Sequence, residues 1–349
     1  MAFFYNEKYS LHYLVRGRGE PLVLIHGLGG SGADWAFQVA VLEKKFRVIV
    51  PDLPGCGHSP PPRDEYTMAG FASALWSLLD HLAVPRANII GFSMGGAVAL
   101  EMAAQRPAGV PRLGLINSLA TYRPDDWRKW LEVHVTALLV RLLGMRRAAW
   151  LLALRLFPEP WQRSIRNHAA AVVGAVPASS YLGMGLALAR WAIIDRLDSV
   201  TSRILMIAAE HDFTPLAEKR ALAALLKADF VVVRGSRHGT PFDSVEATNA
   251  SLLALLTDQP LPPRARWVRD SPTHAQALSL AGSIAEEHAL GRGIQPRPAL
   301  NTASMSSSSG FSVSAASPSN SRHCSAAMGR ANRKPCPTAQ PSRRRISAC

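Results

Sequence analysis

Short apolar and β-branched runs alternate along residues 9–233 with longer stretches of helix-like spacing. This alternation predicts an α/β fold with a mostly parallel central sheet and helices on both faces, because strands buried on both sides carry few polar residues. The predicted strands are residues 9–15, 22–25, 47–50, 88–90, 113–116, 204–208 and 230–233. We expect the first two strands to pair antiparallel through the turn at 16–19.

A long insertion separates the strands predicted at 113–116 and 204–208. Its first part repeats large side chains at spacings of three and four, with Arg and Lys mostly opposite, which predicts an amphipathic helix ended by Gly144. The repeated positions are Trp127, Trp130, Leu131, His134, Leu138 and Leu142. Residues 148–157 predict a second helix that two prolines stop, and residues 181–194 predict a third.

The insertion is interpreted as a helical cap on the sheet. We therefore predict an α/β core of residues 1–118 and 200–258 and a cap of residues 119–199. From residue 259 to residue 349 the composition shifts to Ser, Pro and Arg. This shift predicts a basic, low-complexity tail that is largely disordered.

Large aromatic and aliphatic side chains are frequent in the predicted cap. We expect Trp127, Trp130 and Trp191 to be packing residues, because large aromatics dominate buried area. An apolar cap also favours an apolar acyl or alkyl group as the bound substrate. Arginines interrupt every apolar run before the roughly 18 residues that a membrane span needs, so no transmembrane segment is expected. Peripheral contact of the basic amphipathic face with a membrane is an alternative.

The net charge of +14 is concentrated in the predicted tail. Residues 260–349 hold twelve Lys or Arg and three Asp or Glu, which leaves +5 for residues 1–259. The folded part is only mildly basic, so no nucleic-acid partner is expected. Cys56 stands apart from the other three cysteines, and neither a disulfide framework nor a metal site is predicted. The first residues lack the pattern of a signal peptide, and we expect a cytoplasmic location.

Gly91-Phe92-Ser93-Met94-Gly95 is a GxSxG pattern between a predicted strand and a helix-like segment. A sharp strand-to-helix turn holds its central residue in strained backbone angles, and the flanking glycines allow neighbouring backbone to approach closely. The pattern alone arises by chance in many chains. Its position between strand and helix is the one that its chemistry requires, which makes Ser93 the candidate nucleophile.

A serine nucleophile needs a base, and the base needs a group that fixes its tautomer. His238 and Asp212 each follow a predicted strand, as Ser93 does. The carboxyl ends of parallel strands form one edge of a sheet, where distant side chains converge. His238 is therefore the candidate base and Asp212 its orienting acid. Asp243 and Asp125 are alternative acids.

The segment His26-Gly27-Leu28-Gly29-Gly30 follows the strand predicted at 22–25. The backbone N–H of Leu28 and that of Met94 are placed to donate to a tetrahedral oxyanion, and each such donor is worth about 3 kcal/mol. We assign no chemistry to the loop histidines near the predicted site. These are His26, which we expect to order the oxyanion loop, His58 and His211.

Together these features resemble the α/β-hydrolase superfamily, in its capped, esterase-like branch, over roughly residues 8–257. The features that carry the resemblance are the His26-Gly27 loop, the turn at 52–59, the Gly91–Gly95 elbow, the acid after a late strand and the terminal histidine. The resemblance implies a serine hydrolase in which Ser93 attacks and Leu28 and Met94 donate to the oxyanion. We expect it to act on a carboxylic ester of an apolar small molecule through an acyl-enzyme, with no cofactor.

Other functions stay open on the same residues. Serine at position 93, where dehalogenases and epoxide hydrolases carry aspartate, argues against those two reactions. Carbon–carbon bond hydrolysis and cofactor-free peroxidase or acyl-transfer activity use a similar triad. A low-turnover ligand-binding protein is an alternative of another class. An NAD-dependent dehydrogenase is a further alternative, because Gly27–Gly32 matches GxGxxG and Asp52 ends the next strand. The elbow, Asp212 and His238 argue against that dehydrogenase.

Overall fold

The apolar runs of the sequence form strands of one eight-stranded sheet in the computed structural model, which describes residues 2–261 of the chain. The strands are β1 (Ala2–Tyr5), β2 (Ser10–Arg16), β3 (Glu20–Ile25), β4 (Phe46–Pro51), β5 (Asn88–Phe92), β6 (Arg112–Ile116), β7 (Arg203–Ala209) and β8 (Asp229–Val233). Their order across the sheet is β1-β2-β4-β3-β5-β6-β7-β8. Only the β1–β2 and β2–β4 pairs are antiparallel among these strands, so the predicted mostly parallel sheet is confirmed.

The predicted pairing of β2 with β3 is wrong. β2 pairs with β4, and β3 lies between β4 and β5, parallel to both. The loop after β2 crosses the segment that leads into β4, where a Cβ at Gly17 or Gly19 would collide with carbonyl oxygens of residues 43–46. Residues 22–25 of β3 are fully buried. A strand whose side chains are apolar on both faces therefore lies in the centre of the sheet between two neighbours, and not at the edge in a hairpin.

Helices cover both faces of the sheet. In the described part of the chain they are α1 (Ala36–Leu42), α2 (Met68–His81), α3 (Met94–Gln105), α4 (Trp127–Leu156), α5 (Arg163–Ala175), α6 (Ala178–Ala189), α7 (Leu216–Leu225), α8 (Thr240–Asp243) and α9 (Val245–Leu256). Val23 and Ile25 of β3 pack in the apolar layer that contains α2 and α3, whereas Leu22 and Leu24 pack in the layer that contains α1 and α9. The alternating directions of strand side chains thus supply both core layers.

The insertion between β6 and β7 contains α4, α5 and α6. α4 is interrupted at Gly144, where φ is 74° and ψ is 162°, as the sequence predicts. α5 was not predicted, and the third predicted helix begins and ends earlier, at Ala178 and Ala189. The assignment of residues 119–199 as a separate cap stays a prediction. The predicted tail lies outside the described residues, apart from positions 259–261.

The expectation that the cap tryptophans are packing residues is wrong for two of the three. Trp191 is buried, but 68% of Trp127 and 54% of Trp130 are exposed. α4 buries its opposite side, which carries Val140, and packs against α5 and α6. No residue between 2 and 261 covers the side of α4 that carries Trp127 and Trp130. α4 is therefore amphipathic, as the sequence predicts, but its apolar side faces outward.

Within residues 2–261 no single helix is long and apolar enough to cross a bilayer. The segments Pro160–Ala175 and Ala178–Ala189 reach that length and composition only as a pair, and the two are bent by 99° relative to each other.

Candidate active site

Ser93 occupies the sharp turn between β5 and α3. Its φ of 54° and ψ of −119° lie in a region that is strained for a residue with a Cβ. A Cβ on Gly91 would collide with the backbone of Gly95, and a Cβ on Gly95 would collide with the carbonyl of Ile25. The Ser93 N–H donates to the carbonyl of Ile116 at 2.9 Å, which ties the turn to β6. The two glycines are thus required where the sequence predicts them.

The side chains of Ser93, His238 and Asp212 meet at the carboxyl edge of the sheet. His238 Nε2 lies 2.9 Å from Ser93 Oγ, and His238 Nδ1 lies 2.8 Å from Asp212 Oδ1. The three residues follow β5, β8 and β7, as the sequence predicts, and all three side chains are buried. This arrangement places a hydroxyl, an imidazole and a carboxylate in one hydrogen-bonded chain, which is the geometry of nucleophilic catalysis.

The second oxygen of Asp212 is also paired. Thr214 Oγ1 donates to Asp212 Oδ2 at 2.6 Å, and the ammonium of Lys219, in α7, contacts the same oxygen. Burial raises the pKa of Asp212, but the charges and hydrogen bonds of His238 and Lys219 outweigh this effect and hold the pKa well below its usual range. Burial lowers the pKa of Lys219, and Asp212 offsets part of that shift. The carboxylate beside His238 is therefore ionised at neutral pH.

The two alternative acids do not bind His238. Asp243 accepts hydrogen bonds from Ser236 Oγ at 2.7 Å and from the N–H of Arg237 at 3.0 Å, and burial raises its pKa. Its carboxylate thus holds the loop that precedes His238. Asp125 is exposed and pairs with Lys129 at 2.9 Å. Asp212 is the carboxylate hydrogen-bonded to the imidazole.

The residues of the predicted oxyanion donors lie close to Ser93. Met94 is the first residue of α3, and a Cβ on Gly27 would lie 3.4 Å from the Cβ of Ser93, which places the Leu28 loop against the nucleophile. No hydrogen bond to another described residue takes the N–H of Leu28 or of Met94. Both amides are therefore available to a ligand oxygen.

His26 fixes the loop that carries Leu28. Its Nε2 accepts a hydrogen bond from the N–H of Leu53 at 2.9 Å, so its Nδ1 carries the hydrogen and donates to the carbonyl of Gly27 at 2.8 Å. This agrees with the ordering role expected from the sequence. The other two loop histidines lie elsewhere: His58 packs against the ring of His12, and His211 is exposed beside Glu210.

Asn117 was not predicted as part of the site. It follows β6 directly, with a φ of 48°, and its Nδ2 donates to the carbonyl of His238 and to Thr240 Oγ1, both at 2.7 Å. Its Oδ1 accepts from the N–H of Ala209 at 2.8 Å. One buried amide thus joins the ends of three strands. The signal in the sequence was a polar residue directly after an apolar strand, the position that also marks Ser93.

Two aromatic residues border the triad. The Tyr122 hydroxyl lies 3.4 Å from Ser118 Oγ. Burial raises the pKa of Tyr122 to about 12, and hydrogen bonds with Ser118 and Ser93 oppose that shift. The phenol is thus neutral beside the nucleophile. The ring of Phe213, which is half-exposed, lies 4.3 Å from the ring of His238. Neither residue was predicted from the sequence.

The GxGxxG segment has a structural use in this fold. Asp52 is fully buried, and its Oδ1 accepts from the N–H of Gly32 at 2.7 Å. Its Oδ2 accepts from the N–H of His58 and contacts His12 Nδ1, both at 2.9 Å. The carboxylate that a dinucleotide ribose would need is therefore committed to the turn after β4. In the described residues no group of three or more His, Cys, Asp or Glu side chains is arranged to hold a metal ion.

Comparison with known proteins places this geometry in a family. A family model described as "alpha/beta hydrolase fold" matches residues 20–245. "Putative carbamate hydrolase RutD" of Caulobacter vibrioides is 30% identical over an alignment of 262 residues that covers 71% of this chain and 95% of that protein. The crystal structure of the enol-lactonase from Burkholderia xenovorans LB400 is 26% identical, with a TM-score of 0.67, and covers 73% of this chain and 100% of that one. A thermophilic esterase from Thermogutta terrifontis is 25% identical, with a TM-score of 0.64, over 72% of this chain and 94% of that one.

Proposed function

The chain belongs to the α/β-hydrolase family and is a hydrolase, and from this premise we propose that it cleaves a carboxylic ester of an apolar small molecule through an acyl-enzyme on Ser93. The observation that carries the proposal is the hydrogen-bonded chain from Ser93 Oγ through His238 to Asp212. A hydroxyl at its free pKa is a weak nucleophile, and this chain supplies the base that activates it.

In the first half of the proposed reaction, Ser93 Oγ attacks the ester carbonyl carbon while its proton passes to His238 Nε2. Asp212 keeps His238 Nδ1 protonated and stabilises the imidazolium that forms. The N–H groups of Leu28 and Met94 donate to the oxyanion of the tetrahedral intermediate. The intermediate collapses, the alcohol leaves with the proton from His238, and an acyl ester remains on Ser93.

In the second half, water replaces the alcohol. It gives a proton to His238 Nε2 and attacks the acyl carbonyl carbon, and the same two N–H groups receive the second oxyanion. Collapse of this intermediate breaks the bond to Ser93 Oγ, which takes the proton back from His238. The net reaction converts the ester and water to a carboxylic acid and an alcohol. Residues of the chain mediate every proton transfer.

The substrate class is inferred from the surroundings of the triad and from the relatives. The ring of Phe213 beside His238 and the phenol of Tyr122 beside Ser93 favour an apolar or aromatic group. An esterase and a lactonase are among the structural neighbours, and both names describe cleavage of an acyl–oxygen bond. Carbamate hydrolysis is the second candidate, because a relative named for it is 30% identical over 71% of this chain.

A panel of chromogenic substrates tests the proposal. It contains p-nitrophenyl esters of short and medium acyl length, a lactone and an aryl carbamate, each assayed with the full chain and with Ser93→Ala. We expect sustained turnover of the esters, with kcat/KM lower by about 10⁴ or more in Ser93→Ala. Turnover of the carbamate alone would favour the second candidate. A single burst of p-nitrophenol without turnover would favour a ligand-binding protein.

A further inference from the structure

One side of α4 exposes a continuous row of large apolar residues. They recur at spacings of three and four, so they share a face of the helix. Leu142 is 72% exposed and Trp127 is 68% exposed. The full set is Trp127, Trp130, Leu131, Val135, Leu138 and Leu142, which we call the α4 apolar face. A contiguous apolar surface of this kind on a folded domain marks a binding surface rather than ordinary surface composition.

Positive charge lies at the end of this face, around the break in α4 at Gly144. α4 contains five Arg and one Lys against a single Glu. Arg141, Arg146 and Arg147 are exposed and form no ion pair with any residue between 2 and 261. At the break in the helix, an open hollow of about 860 Å³ is lined by Arg146, Arg147, Trp150 and Leu151, among others. The hollow therefore offers guanidinium groups beside apolar side chains.

We propose that the α4 apolar face docks on an anionic lipid surface. Large apolar side chains flanked by arginines are the composition of helices that lie in the plane of a membrane interface. Trp127 and Trp130 suit the interfacial level, where an indole ring contacts both chains and headgroups. Arg146 and Arg147 bind lipid phosphates at the hollow, because guanidinium pairs with phosphate through two hydrogen bonds.

The positive charge of α4 argues against two other binding partners for the α4 apolar face. A second copy of the chain would bring an equally basic helix against α4, and unpaired like charges oppose such a contact. The segment 260–349 of this chain, with twelve Lys or Arg and three Asp or Glu, is basic as well. An anionic bilayer complements both the arginines and the apolar side chains.

The docking helix is joined to the triad through two contacts. Lys129 of α4 pairs at 3.1 Å with Glu218, which precedes Lys219 in α7. The guanidinium of Arg155 lies 5.7 Å from the ring centre of Phe213, which in turn packs on His238. Docking through α4 therefore places the bilayer on a helix that contacts the segments following Asp212.

Vesicle flotation of the full chain tests the proposal without any substrate, so its outcome is independent of the reaction at Ser93. Vesicles of neutral phosphatidylcholine are compared with vesicles that also contain phosphatidylglycerol. The test variant is the double substitution Leu138→Glu and Leu142→Glu. The control is Leu225→Glu in α7, because Leu225 is equally exposed but lies outside the α4 apolar face. Circular dichroism melting checks that both variants fold, as exposed positions should allow.

We expect wild-type protein and Leu225→Glu to float with the anionic vesicles, and the double variant to lose at least about tenfold in partition. Arg146→Gln with Arg147→Gln should lose about fivefold for each charge on anionic vesicles. Failure of the wild-type chain to float would overturn the proposal. So would full binding by the double variant, which would assign binding to another segment. Conversion of a dimer to a monomer by the double variant, without vesicle binding, would assign the face to a second copy.

Discussion

The side chain of Asn117 donates a hydrogen bond from Nδ2 to the backbone carbonyl oxygen of His238 at 2.7 Å. Its Oδ1 accepts from the N–H of Ala209 at the end of β7, so one residue at the end of β6 holds both the β7 end and the loop that carries the imidazole. The meeting of three remote segments in the site therefore depends on a buried amide that takes no part in the chemistry.

Replacing Asn117 should loosen the site. Asn117→Ala leaves the Ala209 N–H and the His238 carbonyl without their partner, and we expect a loss of about 3 kcal/mol in stability and more than tenfold in kcat. Asn117→Gly removes the same contacts but suits the φ of 48°, so it should be about 1 kcal/mol more stable than Asn117→Ala. Urea denaturation measures both. Surface substitutions usually change the free energy of unfolding by less than about 0.5 kcal/mol. An effect that small for the Asn117 variants would contradict this role.

Substitution of the two acids near His238, Asp212 and Asp243, should have very different effects on kcat. Asp212→Asn keeps the size of the side chain but no longer fixes the tautomer of His238 or stabilises its charged form, so kcat should fall by about 10⁴. Asp243→Asn alters only the loop at residues 236–237 and should cost less than about tenfold. Steady-state kinetics of the two matched variants decides between them, and equal losses would reject Asp212 as the orienting acid.

The pH dependence of the free energy of unfolding should reflect the ionisation of the Asp212 carboxylate. Its pKa is lower in the folded protein than in the unfolded chain, where it is about 3.9. The stability that it contributes is therefore complete above that pH and is lost as the pH falls towards the folded value. Between about pH 5 and pH 2.5, wild type should lose roughly 2 kcal/mol more than Asp212→Asn. Parallel curves of unfolding free energy against pH would disagree with this assignment.

Lys219 should act on the rate through Asp212. Lys219→Met removes a positive charge that offsets the carboxylate, so the remaining negative charge favours the protonated imidazole of His238. The acid limb of the kcat/KM profile should then move to higher pH. Lys44→Met, at an exposed position, is the control and should leave the profile in place. A merely structural Lys219 would lower stability without moving that limb.

Local patterns in the sequence were sufficient for seven of the eight described strands, all except β1, and for the residues of the triad. The runs at 88–90 and 204–208 are buried on both faces of the sheet, the run at 230–233 in the edge strand β8 is partly buried, and a catalytic residue follows each of them. The pattern predicts which residues form strands, but pairing depends on which strand fits between which neighbours. For that reason the β2–β3 pairing was wrong although both strands were correct.

Residues whose role is set by distant partners were missed. Lys219 lies on a helix among charged residues and resembles a solvated lysine until α7 packs on the Asp212 loop. The amphipathic pattern of α4 was recognised, but periodicity alone does not say which side faces the protein. The side with Trp127 and Trp130 is the exposed one, because α5 and α6 pack against the opposite side.

Covalent labelling with a fluorophosphonate, followed by peptide mapping, tests most directly that Ser93 is the nucleophile of a relay through His238 and Asp212. We expect one adduct per chain on Ser93, none in Ser93→Ala, and labelling slowed by about 10³ or more in His238→Gln. An adduct on another residue, or ester hydrolysis by Ser93→Ala at the wild-type rate, would contradict the account.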